Sequence, residues 1–213
     1  MYYGRGRMRR LVAFGCSCTF GTGLDDCLPD PVTNKSCADP SNLAWPKLIA
    51  DKLNLGCVNN GKSGISNKGI WHKLTDYDFK QGDIVLVMWT NIDRTSIIKE
   101  NKLINIGAWG EDPVSKWYYR MMYNDNDHKI DTDLRIAHAS SFLSNLGINH
   151  YHLSVDSIIY KKMSKDTNFL NIEPFRHFAM PYELAPDNNH PGKEVHIAYA
   201  EKIMNELHGY LQK

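Results

Sequence analysis

Two short segments near opposite ends of the chain carry residue types that together suit acyl transfer. Phe14-Gly15-Cys16-Ser17-Cys18-Thr19-Phe20-Gly21 places a serine on a glycine-flanked turn directly after an apolar run. Ala185-Pro186-Asp187-Asn188-Asn189-His190-Pro191-Gly192 sets a carboxylate three residues before a histidine, with a proline to open the helix that follows. A serine hydroxyl is a poor nucleophile until a base removes its proton, and the base needs a third group to hold its tautomer. These needs assign Ser17 as nucleophile, His190 as base and Asp187 as the group that reaches the His190 Nδ1–H.

A tetrahedral intermediate also needs donors for its oxyanion. The Ser17 amide is one. A glycine amide of Asn60-Gly61-Lys62-Ser63-Gly64 is a second, and the side-chain amide of Asn91 a third. For these to converge, they must leave parallel strands at one edge, since open α/β sheets bind ligands at the carboxyl ends of their strands.

The pattern provides such a sheet. Short apolar strands are expected at Arg10–Phe14, 57–59, Asp83–Trp89 and near 150–155. Helical spacing falls at 43–53 (capped by Ser41 or Asn42 and stopped by Gly56), about 66–77, 131–146 (closed by Gly147) and 191–211. Residues 25–42, 94–128 and 160–185 read as irregular. The alternation predicts a doubly wound α/β fold with about five parallel strands.

With these residues placed, the chain resembles the SGNH (GDSL-type) hydrolases, whose blocks supply Ser, Gly, Asn and His in that order. Residues 15–21 look like block one, 59–64 like block two, Asn91 like block three, and Asp187-x-x-His190 like block five. The resemblance spans residues 10–208. It implies a flavodoxin-like three-layer α/β/α sandwich and a Ser17–His190–Asp187 triad. It also implies an oxyanion hole from the Ser17 and Gly64 amides and Asn91. Two positions depart from the pattern: Cys16 stands where the family has aspartate, and the Gly-x-Asn-Asp of block three reads Trp89-Thr90-Asn91-Ile92. Such short variant blocks are similar to those of phage-encoded members.

The bulk properties bound the rest. The 213 residues fit one domain, 1–213, with a basic leader over 1–9 and pocket-shaping loops at 25–42 and 94–128. A net charge of +1 gives no electrostatic case for nucleic acid. No apolar run approaches the ~20 residues of a membrane span. Five cysteines without a compact framework suit a reducing compartment, so a cytoplasmic location is expected, and a Cys27–Cys37 bridge is left open. No metal is expected: His150 and His152 share a strand face without a third ligand, and the cysteines lack zinc spacing. Cys16 and Cys18 are disfavoured as nucleophiles because, on a strand-like path, their side chains point away from that of Ser17.

The expected activity is ester hydrolysis through an acyl-enzyme, without a cofactor, on a small-molecule or carbohydrate ester bearing a short acyl group such as acetyl. Two rivals stand beside it. Aromatics at 109–123 suit a non-catalytic carbohydrate-binding module. Gly56-Cys57-Val58-Asn59-Asn60-Gly61-Lys62-Ser63 matches the Walker A pattern of a nucleotide binder, although an amphipathic helix precedes it and a strand falls inside it.

Overall fold

Ile84–Trp89 is apolar at consecutive positions, a pattern suited to a strand covered on both faces, and all six residues are buried. The computed structural model describes residues 9–28, 30, 32, 37–100, 102–159 and 168–211. In it this run is β3, at the centre of the sheet. In chain order the elements are β1 (Arg10–Phe14), α1 (Ser17–Phe20), α2 (Trp45–Lys52), β2 (Gly56–Asn59), α3 (Asn67–Thr75), β3 (Ile84–Trp89), β4 (Thr95–Lys99) and β5 (Lys102–Ile106). They continue with α4 (Pro113–Met121), α5 (Asp125–Asn145), β6 (Asn149–Ser154), α6 (Phe175–Ala179) and α7 (Lys193–Leu211).

The main sheet runs β2-β1-β3-β6, all parallel, with Leu11 opposite both Cys57 and Ile84, and Leu86 opposite Tyr151. Helices cover both faces. Helices α2 and α7 pack together on one side, where Trp45 and Ile49 meet Val195, Tyr199, Ile203 and Leu207 in the buried core. On the other side α3 and α5 pack together, with Ile70, Leu74, Ile136, Ala139 and Leu143 buried. Each such large side chain contributes about 1.5–3 kcal/mol by leaving water. At the amino ends of the strands Arg10 makes a two-pronged bond to Asp83, at 2.9 and 2.6 Å. Burial opposes ionisation of Asp83, yet Arg10 and the Lys80 amide hold its carboxyl below the ordinary value.

The expected three-layer sandwich is present, with four strands in the main sheet among the described residues. In place of a fifth strand there is a single parallel bridge from His152 to Phe169. The His152 amide donates to Asn168 O and the Leu170 amide to His152 O, but the Ile172 amide then turns back onto Leu170 O at 2.8 Å. This tight turn, with Pro174 soon after, ends the pairing.

Residues 94–128 are ordered rather than irregular. The β-branched residues of Thr95–Lys99 pair antiparallel with Lys102–Ile106 as a separate hairpin. Asp112 caps α4 by accepting from the amides of Val114 and Ser115, with Pro113 in the first turn. Asn124 caps α5, so that helix starts at Asp125 and not at 131. Helix α2 begins at Trp45 behind Ala44; neither Ser41 nor Asn42 caps it, because both bond instead to the Asp26 carboxylate. The last helix begins at Lys193, since Pro191 is held in a bridge with Leu184. The basic leader lies outside the described residues except for Arg9. Among the described residues no helix is long and apolar enough to cross a membrane.

Candidate active site

Strands β1, β2 and β3 deliver their following loops to one edge, and hydrogen bonds stitch those loops together. The β1–β2 ladder continues past its ends: the Asn60 amide donates to Ala13 O at 2.7 Å and the Lys62 amide to Gly15 O at 3.0 Å. Asn59 ties the second loop to α1, with its Nδ2 donating to Thr19 O at 2.7 Å while its Oδ1 accepts the Gly61 amide at 3.0 Å. Gly61 is required here, because a Cβ would lie 2.6 Å from the Phe20 amide nitrogen. The hydroxyls of Thr22 and Ser63 join the same loops.

Ser17 opens α1, directly after the Cys16 cap, and is buried. Its amide donates to no protein acceptor among the described residues, as expected for the first residue of a helical turn. Gly64 has φ +73°, and its amide is likewise without a protein acceptor among the described residues.

Asn91 follows β3, and its Oδ1 is buried without a hydrogen-bond partner. The turn that carries it is fixed by Asn67, a residue the sequence reading did not single out. Asn67 accepts the Thr90 amide at 2.8 Å and donates to Thr90 O at 3.0 Å, pairing both backbone groups of that residue.

Asp187 and His190 lie on the loop before α7 and form a closed unit. Asp187 Oδ2 meets His190 Nδ1 at 2.6 Å, and Oδ1 accepts the amides of Asn189 and His190, each at 3.0 Å. Burial opposes the charge on Asp187, but these three donors outweigh it and hold the carboxyl below its ordinary value. The unit seats on Gly23, whose φ of +90° and missing side chain let the carboxylate approach; a Cβ there would lie 2.4 Å from Oδ2. Gly23 follows α1 by three residues, so Asp187 packs against the loop that leaves the Ser17 turn. No hydrogen bond joins the Ser17 hydroxyl to His190 in this structure. Such bonds are often long before substrate binds.

Of the two cysteines flanking Ser17, Cys18 does not point away as expected. Residues 17–20 take a helical turn after an extended Cys16, and the thiols of Cys16 and Cys18 come within reach of each other. The hydrogen bond from Cys18 makes Cys16 the more acidic, with Arg94 adding to the effect, while Cys18 also contacts the Ser17 hydroxyl. Cys16 is fully buried. Trp89 is also buried and donates its Nε1–H to His152 Nδ1 at 3.1 Å.

Other sequence candidates resolve differently. The Walker-like run is not a phosphate cradle, because its residues 56–59 are strand β2 and the next helix waits until Asn67. Lys62 is exposed on its rim. His150 and His152 are engaged by Asn168, Trp89 and Ser140, and burial pushes His152 down to about 3. Cys27 and Cys37 are free thiols. A cavity of about 300 Å³ near Tyr118, His128, Asp131 and Arg135 includes none of the residues assigned above.

Among the described residues, the buried side-chain polar atoms without a partner gather at this edge. They belong to Thr19, Asn60, Thr90, Asn91, Asp93, Arg94 and Ser154, with only Trp45 Nε1 elsewhere. Buried polar groups are normally satisfied, so this concentration sets the carboxyl edge of the sheet apart from the rest of the described core.

No family model matches the chain, and no curated protein matches its sequence. Solved structures match its fold. A protein of the G-D-S-L family from Desulfitobacterium hafniense aligns with TM-score 0.55 at 14% identity, over 92% of this chain and 98% of that one. An acetyl xylan esterase, Est2A, from Butyrivibrio proteoclasticus aligns with TM-score 0.62 at 13% identity, over 96% of this chain and 64% of that one. Axe2, an acetylxylan esterase from Geobacillus stearothermophilus, aligns with TM-score 0.53 at 15% identity, over 97% of this chain and 96% of that one. At these identities the likeness is one of fold: the chain has the α/β/α sandwich of the SGNH (GDSL-type) hydrolases.

Proposed function

We propose that this chain, built on the fold of G-D-S-L lipolytic proteins and acetylxylan esterases, is a serine ester hydrolase that works through an acyl-enzyme. The observation that carries the reading is the Asp187–His190 pair, bonded at 2.6 Å and seated on Gly23 of the Ser17 loop. The pairing leaves His190 Nε2 as the nitrogen free to take a proton. Ser17 Oγ attacks the ester carbonyl as its proton passes to Nε2, and Asp187 stabilises the imidazolium. The amides of Ser17 and Gly64 and the side chain of Asn91 receive the oxyanion. His190 then returns the proton to the leaving alcohol. Water, activated by the same histidine, attacks the acyl-Ser17 ester to release the acid and restore the hydroxyl.

The substrate in this reading is a short acyl group, such as acetyl, on a carbohydrate or small alcohol. Trp109 supports it: 55% exposed, its ring approaches Gly64, so that a Cβ on that glycine would lie 3.8 Å from Trp109. Exposed tryptophan faces suit sugar rings. The same tryptophan supports a second reading, a binding module on this fold that performs no turnover.

The deciding experiment is intact-mass measurement after incubation with a fluorophosphonate. The expected result is one adduct on the native protein and none on Ser17→Ala. No adduct under conditions that label a control serine esterase, with sugar affinity retained in Ser17→Ala, would replace the hydrolase with the binding module.

A further inference from the structure

Arg94 is half-buried, on the loop that follows β3, and no ion pair among the described residues holds its charge. Its guanidinium carbon lies 4.7 Å from the centre of the Trp109 ring, a cation–π distance. Trp109 in turn adjoins Gly64, on the loop assigned to the oxyanion. The guanidinium charge also acts on the thiols of Cys16 and Cys18, the two residues that flank Ser17. The guanidinium thus lies against the Trp109 ring and within electrostatic reach of the residues that flank Ser17.

Arg94 Nε and Nη1 are buried and have no hydrogen-bond partner. Its sequence neighbour Asp93 does not supply one, because Asp93 Oδ1 is itself buried without a partner. Among the described residues no carboxylate forms an ion pair with Arg94. Leaving buried donors of a charged group unmade is costly, and truncating a long side chain would avoid the cost. Arg94 Nη2 is not among those buried atoms and has no hydrogen bond among the described residues, so it is the nitrogen open to an acceptor that arrives with the substrate.

We propose that Arg94, braced on Trp109, selects substrates in which the esterified sugar carries a carboxylate, as in an O-acetylated hexuronic acid. Through Nη2 the guanidinium offers a charge-assisted hydrogen bond to a carboxylate oxygen, with its full positive charge behind it. It is a single positive charge with no second cation bonded beside it, which suits a monoanion better than a phosphate. The exposed part of the Trp109 ring receives the apolar face of the same sugar. The assignment rests on the ester-hydrolase reading for the bond that is cleaved, but not for the group that is recognised.

The test compares the mono-O-acetyl esters of a methyl hexuronoside and of the neutral methyl hexoside of the same configuration. The native protein is expected to favour the acidic ester about 10- to 100-fold in kcat/KM, mainly through KM. That ratio should fall to near one in Arg94→Gln and Arg94→Ala, remain intermediate in Arg94→Lys, and shrink with added salt in the native protein. A native ratio near one, or a ratio that survives in Arg94→Gln, overturns the proposal.

Binding of the two unesterified glycosides to Ser17→Ala, with and without Arg94→Gln, separates this proposal from the hydrolase reading. Cleavage without acid preference sinks the role of Arg94 and leaves the hydrolase standing. No cleavage, together with acid-selective binding that Arg94→Gln abolishes, does the reverse. Preferential binding of the hexose 6-phosphate would also overturn the carboxylate assignment.

Discussion

Gly23→Ala tests whether the Asp187–His190 pair depends on its seat. At φ +90° a Cβ on residue 23 would fall 2.4 Å from Asp187 Oδ2, 2.5 Å from Cγ and 2.6 Å from Oδ1. Ordinary van der Waals contact begins at 3.4 Å, so the carboxylate must retreat by about 1 Å, enough to stretch its bond to His190 to about 3.6 Å, beyond hydrogen-bonding range. A misplacement of about 1 Å in a catalytic group costs on the order of 100-fold, the loss expected here in kcat/KM. The left-handed backbone adds about 1–2 kcal/mol of strain. Gly147→Ala isolates that strain, because Gly147 has φ +66° and nothing within 4 Å of its Cβ position. Both variants should therefore lose stability, and only Gly23→Ala should lose activity. The assay is kcat and KM on p-nitrophenyl acetate alongside thermal unfolding. Equal activity in the two variants would show that the seat does not position the acid.

Asp187→Asn should lower kcat about 10³–10⁴-fold with little change in unfolding temperature, because an amide facing His190 Nδ1 favours the wrong tautomer; a loss below tenfold on the same assay would remove Asp187 from the triad. Asn67→Leu strips both Thr90 backbone groups of their partner and should cost about 2–4 kcal/mol in denaturant unfolding, with kcat reduced through Asn91. His152 and His196 are both pushed down to about 3 by burial. The unfolded chain takes protons at these histidines below about pH 6.5 while the native state does not, so stability should fall as pH drops from there toward 3, by about 1.4 kcal/mol per unit for each residue. Urea midpoints between pH 7 and 4 should show a slope shallower by about one proton in His152→Gln; an unchanged slope would contradict the assignment.

What the sequence made legible was whatever is local or strongly periodic. The unbroken apolar run Ile84–Trp89 announced a central strand, and Asp187-x-x-His190 announced a pair that one turn of loop closes on itself. The hairpin at 95–106 escaped because its residues 97–99 and 102–104 are largely exposed, so no hydrophobic face stood out. The Cys16–Cys18 contact escaped because a strand period was extended one turn too far, into residues that coil. Gly23 and Asn67 escaped for another reason: each acts on a partner distant in sequence, Asp187 for the one and Thr90 for the other. Glycine gives no sign of what approaches it, and an asparagine inside a helix start resembles any other polar residue.

The seat of Asp187 on Gly23 joins residues from opposite ends of the chain, so the two halves of the proposed triad are made at different times during synthesis. A growing chain displays Ser17 early, when its base has not yet been translated. Because α7 packs on α2, the histidine loop can settle against the serine loop only when the final helix closes the sandwich. On the proposed mechanism the serine is until then an ordinary alcohol, chemically silent toward the esters around it. Reaction with a fluorophosphonate would thus report completed folding, and a chain stopped short of residue 185 should fold in part yet leave Ser17 unlabelled.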